Sequence, residues 1–249
     1  MEIFFPDNIF AHSLATHLNK QKQNKITFIS SALLSKKMND TSESIALIPT
    51  MELITNQDLF VSRSIGIAFE GTMSNSYIYF NTEREQISEV QLAGDVSSID
   101  VVMCKILFSE LYDTNVELKI SAMNDDLEDQ THIIVGDQNF KNRKYKNGIS
   151  FAEQIVDLIS APYINYILAS RNEELLKNYS DDTLPIIKEF ALGESEHLDE
   201  LDESKNFIIE NSQSVIYCLE EQDIIGINEL IRLPFYHGIL KELFEVKFV

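Results

Sequence analysis

Within its first fifty residues the chain alternates short apolar runs with helical ones, and this alternation limits the fold more than any other feature. Glu2 to Phe5, Lys25 to Ile29 and Ser44 to Thr50 are rich in β-branched and aromatic residues and read as strands. Ile9 to about Leu18 and Ser31 to Met38, between them, read as helices. Strand, helix, strand, helix, strand in that order predicts a parallel sheet with helices on its faces.

Further along, Ser64 to Phe69 and Ser76 to Phe80 are β-rich and are joined by the polar stretch 70–75. Gln91 to Asp95 is a short strand running into a turn, and Ser97 or Ser98 then caps a helix to about Tyr112. Strands are predicted over 116–121, 132–135 and 163–170, with a helix over 151–159. Beyond Asp181 the reading is a helix over 185–192, an acidic hinge-like stretch over 193–204, and helices over 207–219 and 224–243, the last broken by Pro234. This order predicts two α/β lobes. The first comprises residues 1–88 and 176–249, with the C-terminal helices returning to it; residues 89–175 form an inserted second lobe. A ligand would bind between them, near the carboxyl ends of strands.

Charge narrows the partners. With 40 acidic side chains against 20 basic ones, the net charge is -20. Such a surface repels phosphate backbones and anionic lipid heads, so neither nucleic acid nor membrane is expected as a partner. The cluster Lys141, Arg143, Lys144 and Lys146 reads as a solvated loop. No stretch approaches the roughly 18 apolar residues of a membrane span. The first residues lack the charged and apolar regions of a secretory signal, and two isolated cysteines, Cys104 and Cys218, fit a reducing compartment, so a cytoplasmic location is expected. The sequence leaves the oligomeric state open.

The residues that carry chemistry are few. Ser97-Ser98 opens a helix directly after a strand, where free backbone N–H groups and hydroxyls can receive an anion. Ser74, Asn75 and Ser76 offer hydroxyl and amide groups before an apolar strand, and Asp137 follows Gly136 at the end of another. Each also has a structural reading, as a helix cap or a solvated turn. No set of Cys, His and carboxylate residues has metal-ligand spacing, and neither metal nor cofactor is expected.

Several of these segments, taken in order, resemble the futalosine-route menaquinone biosynthesis proteins, chorismate dehydratase and 1,4-dihydroxy-6-naphthoate synthase. The matching stretches are Ile45 to Thr50, Ser64 to Ala68 with the loop from Gly71 to Ser76, Asp95 to Ser98 with Lys105-Ile106-Leu107, Ile134 to Asp137, and Ser160 to Tyr163. The resemblance covers roughly residues 1–175. The resemblance implies a two-lobed fold of type II periplasmic-binding-protein kind. It also implies a cleft in which Thr50, Ser74, Asn75, Ser76, Ser97, Ser98 and Asp137 contact a small carboxylated molecule.

Four positions depart from that pattern. Phe10 stands near the place of an expected asparagine, and Ile99, Asp100 and Val101 replace an Arg-Thr-Ser run; the chain also has no tryptophan. A cation and two hydroxyls are lost and a carboxylate is gained. Two like charges about 4 Å apart repel by about 1–4 kcal/mol, so a dianion such as chorismate is expected to bind poorly. The leading expectation is a small-molecule-binding protein without catalysis. The alternatives are a chorismate dehydratase-like lyase and a partner-docking role for the acidic surface or C-terminal helices.

Overall fold

The computed structural model describes residues 1–21, 25–41, 43–81, 87–122, 127 and 129–249. Among these, twelve strands form two sheets. The chain opens with β1 (Glu2–Pro6), α1 (Ile9–Gln21), β2 (Ile26–Ile29), α2 (Leu34–Asn39) and β3 (Ser44–Pro49). Strand β1 pairs in parallel with both β2 and β3, as the alternation requires. All six residues of β3 are buried, which a strand covered on both faces demands.

Strand β4 (Phe60–Phe69) ends the first pass through this sheet. The chain then crosses to a second sheet made of β5 (Ser76–Tyr79), β6 (Glu89–Gly94), β7 (Glu117–Ser121), β8 (His132–Val135) and β9 (Ile149–Ser150), in the order β7-β6-β8-β5-β9. Two helices belong to this part, α3 (Ser98–Tyr112) and α4 (Phe151–Ile159). The Ser150 hydroxyl starts α4 by accepting the Glu153 N–H at 3.1 Å. Strand β10 (Tyr163–Ser170) returns to the first sheet, wholly buried and antiparallel between β3 and β4.

The sheets therefore divide the chain differently from the predicted boundaries. Residues 76–79 pair in the second sheet and 163–170 in the first, so the crossings fall at 70–75 and 160–162 rather than at 88 and 175. The reason lies in packing. A largely apolar strand such as β10, buried along its whole length, needs both faces covered, and the centre of the larger sheet provides that.

The C-terminal quarter departs most from the sequence reading. Helix α5 (Glu173–Lys188) starts twelve residues before the predicted helix, because the Asn172 side chain accepts the Leu175 N–H at 3.0 Å, and it runs through Pro185. The acidic stretch is no hinge. It forms 3-10 turns, Leu192–Glu194 and Glu196–Ser204, that bury Leu198 and Ser204. The predicted helix over 207–219 is a short α6 (Lys205–Glu210) followed by a strand, β11 (Val215–Cys218), whose β-branched residues extend the first sheet beside β4. Helix α7 (Glu221–Tyr236) contains Pro234, and β12 (Lys247–Phe248) adds a short parallel pairing to β4.

Candidate functional site

The two lobes meet where parallel strands end. In the first lobe, β1 leads into Ile9 and β2 into Ser30-Ser31; in the second, β6 leads into Asp95 and β8 into Asp137. Strands β6 and β8 are parallel neighbours, with Gly94 opposite Val135, so the two aspartates follow adjacent strand ends. Each reaches across the interface. Asp137 Oδ1 accepts the Ile9 N–H at 2.9 Å. Asp95 accepts the Ser30 hydroxyl at 2.7 Å, the Ser31 hydroxyl at 2.5 Å and the Ser31 N–H at 3.0 and 3.1 Å.

Gly94 makes this turn possible. Its φ is +98°, and a Cβ there would stand 2.0 Å from the Val135 carbonyl oxygen. The close approach of β6 to β8 lets the Asp95 N–H donate to the Val135 carbonyl at 3.2 Å.

Behind Asp95 runs a buried chain of hydrogen bonds. The Ser31 hydroxyl donates to Asp95, so the Tyr166 hydroxyl, 2.8 Å away, donates to Ser31, and Asn75 Nδ2 donates to Tyr166 at 3.4 Å. The chain crosses from the second lobe to the first and back. Burial holds the Tyr166 hydroxyl well above its ordinary pKa, with Asp100 and Asp95 adding to the effect.

Helix α3 shows what became of the serine-rich start. The Ser97 N–H and hydroxyl both donate to Asp100 Oδ2, at 2.9 and 2.8 Å, and Ser76 donates to Asp100 Oδ1 at 3.0 Å. Asp100 is thus the helix's own anion, stabilised by donors at its N-terminus. Burial pushes its carboxyl up to about 6 even against those donors. Asp137 is raised to about 6 by burial as well, opposed by the Ile9 N–H and by His12. Ser98 Oγ is buried and meets no hydrogen-bond partner.

The predicted contacts separate into two sets. Asn75, Ser76, Ser97 and Asp100 come together beside Tyr163 and Tyr166. Thr50 and Ser74 work within their own lobes instead. Thr50 donates to the Ile164 carbonyl at 2.6 Å, and Ser74 Oγ accepts the N–H groups of Ser76 and Ala152, both at 3.1 Å. Ile99 is core, and Val101 packs against the core. Ser30, Ser31 and Tyr166 were not foreseen as site residues. Their signal was the one read at Ser97-Ser98, a serine pair directly after a strand.

Phe10 has a definite role. It is 1% exposed and meets Phe69 of its own lobe at 5.0 Å and Phe140 of the other lobe at 5.9 Å, both edge to face. From Phe140 the aromatic row continues to Tyr145, which stacks on Phe207 at 4.0 Å. The loop 137–147 is thereby anchored on the first lobe. The Ser204 hydroxyl donates to the Phe140 carbonyl and Arg143 Nε to the Glu203 carbonyl. The basic cluster is exposed except for this anchoring at Arg143 and Tyr145. Cavities of about 120, 280 and 530 Å³ lie elsewhere, beside His17 and Phe190, beside Tyr79 and His132, and beside Ile231 and Phe244.

Three solved structures share this arrangement over nearly their whole length. Protein AF1704 from Archaeoglobus fulgidus superposes with a TM-score of 0.63 at 9% identity, covering 96% of this chain and 97% of its own. The ligand-binding component of an ABC-type import system from Staphylococcus aureus, solved with zinc bound, gives 0.57 at 12%, covering 100% and 95%. An ABC transporter protein from Parabacteroides distasonis gives 0.58 at 11%, covering 95% and 92%. The fold is the two-lobed periplasmic-binding-protein type. No family model and no curated protein sequence matches the chain. At such identities the likeness is one of backbone architecture, and the side chains between the lobes are this chain's own.

Proposed function

We propose that this chain is a non-catalytic small-molecule-binding protein, diverged from the menaquinone-route enzymes whose motifs it resembles, and that its interlobe site takes a small neutral or cationic ligand. The observation that carries this reading is Asp100. Where an anionic substrate would meet the N-terminus of α3, the chain holds a buried carboxylate of its own, bonded to Ser76 and Ser97. A second carboxylate there would be repelled and would find its donors already engaged.

The rest of the interface retains capacity for polar contacts. Asn8 faces the Tyr166 hydroxyl, yet its amide nitrogen meets no acceptor at hydrogen-bond geometry. Asn75 Oδ1 and Asn165 Oδ1 are also buried without a donor. A buried polar atom left unmatched costs about 1–3 kcal/mol, and a ligand hydroxyl or amine that reached these atoms would recover part of that. Binding as a role also agrees with the fold, since the named S. aureus relative is a ligand-binding component. The reading includes a cytoplasmic location, on the two free thiols.

Thermal melting of the full chain against amino acids, polyamines, nucleosides and sugars tests the proposal, with chorismate as the anionic arm. A shift with a neutral or cationic compound and none with chorismate is expected. The ordered motifs favour a second reading, a chorismate dehydratase-like lyase. Incubation with chorismate decides between them, because appearance of the dehydrated enolpyruvyl-benzoate product overturns the non-catalytic reading. Absence of any shift across the panel overturns the binding reading.

A further inference from the structure

The first lobe presents three donors to one carboxylate. Ser30 Oγ, Ser31 Oγ and the Ser31 N–H converge on the two oxygens of Asp95, and Ser31 is wholly buried. Behind them, Tyr166 and Asn75 orient the Ser31 hydroxyl so that its proton points at the carboxylate. The donor set matches a carboxylate's acceptor-only chemistry on both oxygens. We propose that Ser30 and Ser31 form a carboxylate subsite on the first lobe, that Asp95 of the second lobe is its built-in occupant, and that this clasp closes the lobes on each other.

In a two-lobed protein, closure is favoured by whatever touches both lobes, to the extent that it binds the closed form better than the open one. Such a bridge is usually a diffusible ligand. Here the bridging anion is tethered to the polypeptide, which makes the contact intramolecular and gives it a high effective concentration. The turn at Gly94 aims it, with a backbone conformation that side-chain-bearing residues rarely adopt. Asp137, which follows the adjacent strand β8, also reaches across the interface, to the Ile9 N–H. The clasp does not depend on the identity of any ligand or on the binding reading above.

Chemical rescue of the full chain tests this. Asp95→Ala removes the occupant and leaves its donors in place. The variant is expected to show a larger radius of gyration by small-angle scattering and a melting temperature lower by roughly 4 °C or more. Sodium formate is expected to raise the variant's melting temperature saturably above that in sodium chloride of equal ionic strength, and to do nothing beyond chloride for the native chain. An unchanged radius and melting temperature overturns the proposal, as does an equal formate response in both proteins. Asp95→Asn serves if the alanine variant does not fold. It keeps the volume but removes the charge and replaces one acceptor oxygen by a donor, so a variant with both the native radius of gyration and the native melting temperature overturns the clasp.

Discussion

Phe10 and Phe140 meet edge to face with ring centroids 5.9 Å apart and their planes at 78°. One belongs to α1 of the first lobe and the other to the loop after β8 of the second. Both are 1% exposed. The contact joins two sheets that share no strand pairing, so it belongs to the interface rather than to either lobe's own core.

Truncating Phe140 therefore weakens the interface as well as the packing. Phe140→Ala is expected to cost about 3–5 kcal/mol, the usual range for emptying a fully buried aromatic site. Urea unfolding followed by fluorescence and by circular dichroism measures it. The two signals are expected to separate in the variant, since the lobes lose an aromatic contact that joins them. A loss under about 1 kcal/mol would mean that the row of rings contributes little.

Removing the Tyr166 hydroxyl breaks the buried chain at its middle. Tyr166→Phe takes the donor from Ser31 and the acceptor from Asn75, whose Oδ1 is already unpartnered. A loss of about 1–3 kcal/mol is expected from the stranded amide. Equal stability of the two proteins in urea would show that the chain carries no energy.

Acidity has a defined sign here. The carboxyls of Asp100 and Asp137 are each raised to about 6 from 3.8, chiefly by burial. The folded chain thus holds these protons more tightly than the unfolded one. Their stabilising contribution is complete below about pH 3.8 and is lost as pH rises through about 6. For Asp100 it is on the order of 2–3 kcal/mol. Comparing urea midpoints at pH 5 and pH 8, the native chain's gain at pH 5 is expected to shrink in Asp100→Asn. Identical differences in the two proteins would rule out Asp100 as a source.

Two glycines with positive φ separate strain from collision. At Gly94 a Cβ meets the Val135 carbonyl oxygen, whereas at Gly71, with φ +87°, a Cβ meets nothing within 4 Å. Gly94→Ala is expected to cost about 3 kcal/mol or more and Gly71→Ala about 1 kcal/mol. Melting curves of the two variants check this, and equal losses would remove the special role of the β6–β8 approach.

Much of the fold was legible where local pattern and tertiary environment agree. The strands over 2–6, 44–49 and 132–135 and the helices over 98–112 and 151–159 follow their apolar periodicity closely. The C-terminal quarter was not legible in that way. The run Val215 to Cys218 has too few residues to show a period, and only the free edge of β4 makes it a strand. Helix α5 was missed at its start because Pro185 suggested a beginning rather than an interior residue, although Asn172 and the following acidic pair are a sound opening signal. At the site, Asp100 was singled out from the sequence as a carboxylate in the first turn of α3. Its hydrogen bond to Ser76 joins β5 to α3 across 24 positions. Asp95 and the serine pair 30–31 lie 64 or more positions apart, so their contact depends on how the lobes dock and is invisible to local spacing.

The two crossings between sheets also set an order of assembly. Every strand of the second sheet, β5 to β9, is encoded between residues 76 and 150, while the first sheet has to wait for β10, β11 and finally β12 at residues 247–248. During synthesis from the N-terminus, the inserted lobe has all its strands while β4 still lacks every one of its partners. Residues 247–248, made after the other strands described, thus complete the sheet to which residues 2–6 belong.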